Sequence, residues 1–286
     1  ISTTQMFQQR VDAMLAQQAK LSRTELQLAT GKRLVSPSDD PAASLRNLQL
    51  GERKTQNVQF LENLDLAQGR LELAEGALAS SVNIIQRVRE LAVSASNATM
   101  SPNDLQAVEV EVRSLLDGLV AAGNTRNANG EYMFAGYQTD TVPFVDNGTG
   151  NISYNGDQGA LHLQVSASRQ LAVADNGIDV FFGVPASAGG TISVFDVVTD
   201  FANALSSGSP LPATLTDRDA ALDKMLSARA GVGSRLRVVD DQRDINQSFN
   251  LVIDQELSNI GDLDYTEAVS RFSRELLALQ ASEQVF

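Results

Sequence analysis

The stretch from Pro41 to Asn97 leaves few folds open to this chain. It holds no proline after its first residue, and apolar side chains recur every seven places at Leu64, Leu71, Leu78, Ile85 and Ala92. Ala67, Ala74, Val88 and Ala95 follow three places on. A repeat of seven keeps one apolar stripe of a helix facing a partner helix. At about 1.5 Å per residue the segment would be a rod of roughly 85 Å, longer than one rounded domain needs. A rod of that kind predicts an elongated or assembling protein. Its start is legible too: Asp40 caps the first free N–H groups, and Pro41 suits the first helical turn, where a missing N–H costs nothing.

Helical patterns flank the rod on both sides. Residues 2–30 read as a helix with Phe7, Met14, Leu21 and Leu28 at intervals of seven and Val11 in the companion register, where Gln18 and Glu25 come next. So few apolar side chains make this helix marginal alone: it either packs on the rest of the chain or becomes well ordered when neighbouring copies or a partner complete its groove. Residues 28–46 are a break, ended by Gly31 and restarted by the Ser-Pro-Ser-Asp-Asp run. After the rod, Ser101, Pro102 and Asp104 carry a capping signature for a third helix, striped with Leu105, Val108, Val112, Leu115 and Leu119 to about Asn127. The short connection predicts that it runs antiparallel to the rod.

Composition changes after residue 130. Between Glu131 and Leu215 lie half of the 20 glycines and one basic residue, Arg169, against eight acids. YMFAGYQT, PFVDNGTGNISYNGDQG and ALHLQVSAS read as short strands joined by glycine turns, with one helix over 193–205 and SSGSPLPAT as the exit linker. From about Asp217 the helical pattern returns. Val232, Val239, Ile253 and Ile260 share a register interrupted by Asn246, Val238, Ile245 and Val252 form a second stripe, and Val269, Phe272, Leu276, Leu279 and Phe286 mark a last helix. The fold class is therefore α+β: a long antiparallel helical bundle or coiled coil built from the N- and C-terminal segments, with an inserted β-rich domain over 131–215.

The chemistry of sites is sparse. Cysteine is absent, and one histidine, His162, stands in an alternating strand, so a two-histidine zinc motif is impossible and His162 reads as a surface position. Asp146, Gly148 and Gly150 lack the spacing and closing Glu of a calcium loop and read as a turn. Gly31, Lys32 and Arg33 lack the full phosphate-loop spacing, and Asp39 and Asp40 read as caps. Gly231 and Gly233 read as adjusting a helix entry. A formal net charge of -13 argues against nucleic-acid binding, and with no run of eighteen apolar residues no membrane insertion is expected. No catalytic residue, cofactor or metal site is expected.

Three segments carry a family resemblance: LQLATGKRLVSPSDDPAASLR, NANGEYMFAGYQTDTVPF and DLDYTEAVSRFSRELLALQAS. They are similar to the flagellin superfamily over residues 1 to about 138 and 217–286, and the NGEYMFAG motif, Asn129–Gly136, resembles those members that join hook to filament. The resemblance implies a non-enzymatic, extracellular structural protein of the bacterial flagellum, exported by the flagellar type III apparatus without a cleaved signal. It implies a homo-oligomeric ring between hook-associated protein 1 and flagellin, and a cytoplasmic export chaperone as a further partner. It also implies three domains: 1–38 plus 262–286 as an inner terminal-helix domain truncated at its C-terminal end, 39–130 plus 216–261 as a helical rod, and 131–215 as a β-rich outer domain. Relative to the family, the sequence begins without Met-Arg and stops before the apolar C-terminal segment, and is expected to polymerise or bind its chaperone poorly. The expected assembly residues are Phe7, Met14, Leu21, Leu28, Phe272, Leu276 and Leu279. Two other readings stay open: a flagellin or minor flagellin filament subunit, and a glycan-binding or hydrolytic module on a helical stalk, with Tyr154, Phe181 and Phe182 lining a cleft.

Overall fold

The computed structural model describes residues 3–96, 100–148, 150–207 and 213–284. In sequence order, α1 (Thr3–Thr30), α2 (Pro41–Ala95) and α3 (Pro102–Gly123) precede β1 (Phe144–Asp146), β2 (Ile152–Tyr154), β3 (His162–Ser166) and β4 (Arg169–Ala172). Then come α4 (Gly177–Phe181), β5 (Val184–Pro185), β6 (Thr191–Ile192), α5 (Val194–Ser207), α6 (Ala213–Gly261) and α7 (Tyr265–Gln284). Long helices thus occupy both ends of the sequence and antiparallel strand pairs its middle, the α+β arrangement expected. The protein forms two units, residues 1–59 with 246–286 and residues 60–245. Most of the exit linker, part of the glycine turn at Thr149, the end of the expected rod at Asn97, and Phe286 lie outside the described residues.

In the unit of residues 60–245, all nine seam residues of α2, from Leu64 to Ala95, are 6% exposed or less. Removing side chains of this kind from water stabilises the fold by about 1.5–3 kcal/mol for each large one. They pack with Val112 and Leu119 of α3 and with Met225, Val232 and Val239 of α6. Ion pairs fix the directions. Arg89 with Asp219, Glu75 with Arg229 and Asp65 with Arg243 set α2 antiparallel to α6, while Arg87 pairs with Glu111 across to α3. Such surface pairs contribute about 0–1 kcal/mol each, so they set register more than stability.

The start of α3 is the capping box expected: the Asp104 N–H donates to the Ser101 hydroxyl, and the Asp104 carboxylate accepts from the Ser101 N–H and hydroxyl. The helix stops at Gly123, short of Asn127, because the Asn124 side chain donates to the Phe144 carbonyl and accepts from the Phe144 N–H. That exchange ties the helix end to β1.

The β-rich segment holds three separate two-stranded antiparallel sheets. The β1–β2 turn is closed by Asp146, whose Oδ1 accepts from the N–H groups of Gly148 and Gly150. Beneath it Phe134, Phe144, Phe181 and Phe195 pack with ring centroids 4.9–5.4 Å apart and are wholly buried or nearly so. Phe181 is therefore core, not a cleft wall. Residues 132–139 differ from the expected strand: Tyr132 and Ala135 make only isolated bridges, to Arg126 and Asn176, because Gly136, at a φ of +71°, turns the backbone over Asp157. The Asn176 cap of α4 explains a second difference, a short helix where none was expected. Gly231 and Gly233 lie inside α6 and adjust no entry, since the helix already begins at Ala213.

One arginine of this unit is buried, Arg218, and another, Arg70, is half-buried. Arg70 reaches Glu131 at 2.7 Å, and Asn127 donates to the same carboxylate, so charge-assisted hydrogen bonding from Arg70 first and Asn127 second holds Glu131 below its ordinary value of 4.5. Arg218 has no exposed surface, stacks 3.9 Å over the Phe201 ring, and makes no hydrogen bond through any of its three guanidinium nitrogens. Burial lowers it to about 10, which still leaves it charged at neutral pH.

In the unit of residues 1–59 and 246–286, Gly31 ends α1 at a φ of +67°, and Asp40 caps α2 by accepting from the Ala43 N–H. Lys32 pairs with Asp262 backbone to backbone as an isolated antiparallel bridge, its side chain exposed, and the Arg33 guanidinium donates twice to the Ile260 carbonyl. Asn57 is buried between helices, where its Nδ2 donates to the Asn246 carbonyl at 2.7 Å and to Asn250 Oδ1 at 2.8 Å. Asn246, 3% exposed, thus occupies a polar layer within the molecule.

Two measurements check these contacts. Glu131 has its folded-state acidity strengthened, so its contribution is present above pH 4.5 and is lost as pH falls through the lowered value. Glu131→Gln is expected to flatten that acid limb in a urea-denaturation series across pH. Arg218→Met removes a buried charge without hydrogen-bond partners while keeping a flexible stem, and is expected to raise the unfolding free energy by about 1–3 kcal/mol. A fall in stability would show that the Phe201 contact outweighs burial.

Candidate assembly interface

The terminal helices α1 and α7 pack on each other antiparallel. Gln17 Nε2 donates to the Glu275 carbonyl and Arg271 donates to Gln27 Oε1, so later residues of α1 meet earlier residues of α7. The hairpin is closed at its other end by the Gly31–Leu263 and Arg33–Gly261 backbone hydrogen bonds. Asp39 braces the loop: it accepts from the Ser36 and Val35 N–H groups and pairs with Arg23 at 2.6 Å, contacts that hold it below its ordinary range, Ser36 first.

The side of α1 that is out of solvent carries Val11, Met14, Gln17, Leu21, Thr24, Gln27 and Leu28. On α7 the corresponding side carries Ala268, Arg271, Phe272, Glu275 and Leu279. The companion register therefore runs through Gln17 and Thr24, one residue before Gln18 and Glu25, both of which are exposed. The shift follows from the partner: α7 offers a backbone carbonyl and an arginine, which glutamines satisfy and a leucine would not. Arg271 Nε and Glu275 Oε2 are nonetheless buried without a partner, a cost to the pair.

Large apolar side chains lie on the outside as well. Leu15 and Leu26 of α1 and Tyr265, Val269 and Leu277 of α7 each keep about half or more of their surface in water. The same unit exposes Leu45 and Leu48 on α2 and Phe249, Leu251 and Val252 on α6. These ten large apolar side chains exposed in one unit make it the candidate for a surface covered on assembly. Of the seven expected assembly residues, the structure places Leu21 in the buried seam and leaves Met14, Leu28, Phe272 and Leu279 half-buried on the same stripes. Phe7 is 59% exposed and Leu276 37%. Heptad positions alone pass over Leu15, Leu26, Leu277 and Leu251; the one signal these residues carry is a leucine where a solvated face has charge.

Chemistry of other kinds finds little here. His162 is exposed, with Nδ1 2.8 Å from the Ala160 carbonyl. No cluster of three or more His, Cys, Asp or Glu fit for a metal occurs among the described residues, and no described helix is long and apolar enough to cross a membrane.

Comparison with known proteins points the same way as the exposed helices. Residues 1–139 match the bacterial flagellin N-terminal helical region. Flagellar hook-associated protein 3 of Escherichia coli strain K12 is 30% identical over 100% of this chain and 95% of its own length, and that of Salmonella typhimurium is 28% identical over the same shares. Among solved structures, flagellar hook-associated protein 3 of Legionella pneumophila superposes with a TM-score of 0.69 at 20% identity, covering 74% of this chain and 98% of that one.

The outward positions are separable from folding. Serine at Leu15, Leu26 or Leu277 is expected to change the unfolding free energy of the isolated protein by less than about 0.5 kcal/mol, whereas Leu21→Ala is expected to cost about 2–3 kcal/mol. Chemical denaturation of the four variants checks this.

Proposed function

The chain belongs to the family of flagellar hook-associated protein 3, within the flagellins, and from that premise we propose how it works as a structural subunit of the hook–filament junction. The observation that carries the mechanism is the set of leucines that the terminal helix pair leaves in water, Leu15, Leu26 and Leu277, beside an inward side that mixes Met14, Leu21 and Phe272 with amides and charges. Such a pair has its largest hydrophobic gain still to make, and makes it when neighbouring subunits cover Leu15, Leu26 and Leu277. Phe7, Met14, Leu21, Leu28, Phe272, Leu276 and Leu279 act in this reading as the seam, Leu21 within the subunit and Phe7 and Leu276 toward neighbours. Contacts of this head-to-tail kind extend a tubular lattice without catalysis.

The proposed division is an inner domain of residues 1–38 and 262–286, a rod of 39–130 and 216–261, and an outer domain of 131–215. The proposed neighbours are further copies in a ring, hook-associated protein 1 on the hook side and flagellin on the filament side. A cytoplasmic chaperone would shield the terminal helices before export through the flagellar apparatus without signal cleavage, and the working site would be extracellular. In this reading the subunit acts mechanically, as the structural proteins of its family do, and not as an enzyme.

Deletion of the gene in its own host, followed by electron microscopy of cells and immunoblotting of medium, tests the junction role. The expected outcome is intact hooks, no filaments, and unpolymerised flagellin shed into the medium. Normal filaments would sink the proposal, and loss of filaments with no flagellin shed would identify a filament subunit instead.

A further inference from the structure

Four Asn-Gly pairs occur in the sequence, at Asn129, Asn147, Asn155 and Asn176, all in or beside the β-rich segment. Glycine after asparagine leaves the following backbone nitrogen unshielded, so it can reach Cγ of the asparagine amide. Whether it does depends on two things the fold controls: whether that N–H is already engaged, and whether the asparagine amide is held.

Three pairs are restrained. Gly177 N–H donates to the Phe134 carbonyl at 2.8 Å and to the Tyr154 hydroxyl, while the Asn176 amide is fixed as the α4 cap by Asp179 and by the Gln158 carbonyl. Gly148 N–H donates to the Asp146 carboxylate at 2.9 Å, whose negative charge opposes loss of the amide proton. Gly130 N–H donates to the Asn127 carbonyl at 3.0 Å. At the fourth pair the Asn155 backbone N–H donates to the Pro143 carbonyl at 2.8 Å, but neither its exposed amide group nor the Gly156 N–H makes a hydrogen bond to a described residue.

We propose that Asn155 is a site of spontaneous conversion to aspartate and isoaspartate, singled out from the other pairs by these free groups. The Gly156 nitrogen gives its proton to water or hydroxide and bonds to Asn155 Cγ. The Cγ–Nδ2 bond breaks, and the amide nitrogen leaves with a proton as ammonia, closing a five-membered imide. Water then opens the ring at either carbonyl, giving aspartate or, with the backbone rerouted through Cγ, isoaspartate. The balance is one water consumed and one ammonia released, with no change of oxidation state.

The two products differ in what the fold can hold. Aspartate keeps the original backbone. Isoaspartate adds a methylene just before Gly156, whose Cα is closely surrounded: a Cβ built there would lie 2.4 Å from the Tyr154 hydroxyl and 2.8 Å from the Ala135 carbonyl. That hydroxyl donates to the Phe134 and Asp157 carbonyls, so its displacement opens the corner between β2 and α4.

The test is peptide mapping by mass spectrometry of the full-length protein after prolonged incubation, folded, in mildly alkaline buffer. Asn155 is expected to lose its amide several-fold faster than Asn129 and Asn147, with Asn176 unchanged; in denaturant the four rates are expected to converge. Asn155→Gln is expected to abolish the signal from that peptide, because a six-membered imide closes far more slowly. Retention of Asn155 in the folded protein, faster loss at any of the other three, or acid formation in the same peptide of the Gln variant would overturn the assignment.

Discussion

The α2 seam is the interaction on which the unit of residues 60–245 depends. Leu64, Leu71, Leu78 and Ile85 are wholly buried or nearly so, and they belong to one core with residues of α3, α5, α6 and the β-rich segment. Helices α3 and α6 cover it, and α5 packs on α3 through a continuous apolar face. The aromatic cluster of the β-rich segment joins the same core through Phe144 and Phe195. The small strand pairs need this support, because two-stranded sheets are marginal alone. With three such pairs and no larger sheet among the described residues, the middle segment is held by its side chains more than by its ladders.

The terminal helices follow a different rule. Their mutual contact mixes apolar side chains such as Leu21 and Phe272 with amides and charges, and further apolar surface is turned away from it. The buried, unpartnered atoms of Arg271 and Glu275 belong to the same pattern: a seam that satisfies itself incompletely is held loosely enough to repack when another helix arrives. Within the same unit, Asn57 and Asn246 act in the opposite sense. Their hydrogen bond is lost if α2 slides against α6, so it fixes alignment where apolar side chains would tolerate slippage.

Legibility of these features in the sequence tracks how local their causes are. The α2 seam, the Ser101 capping box, the Gly31 terminus and the Asp146 turn each depend on residues within one heptad or one turn, and all are readable. The α7 partner of α1 is not, so the heptad puts the companion stripe through Gln18 and Glu25 when Gln17 and Thr24 are the inward residues. Residues 132–139 look like a strand because Tyr, Met and Phe favour strands, but long-range contacts at Asn176 and Asp157 decide their path. The expected seam at Phe7 and Leu276 shows the same limit from the other side: both hold heptad positions and stay exposed, because a heptad records a pattern and not the helix that covers it.

Gly177 inverts the usual scale of mutational severity. A Cβ at this position would fall 2.5 Å from Phe144 and from Tyr154, both fixed in the aromatic core, so even alanine is excluded. Leu277, by contrast, is a large apolar residue whose replacement leaves the folded protein nearly untouched. In a library of random variants, close-packed glycines such as Gly177 are therefore expected among the positions of the β-rich segment most intolerant to change. Divergence among related sequences would then accumulate around fixed glycines, with side-chain size no guide to constraint.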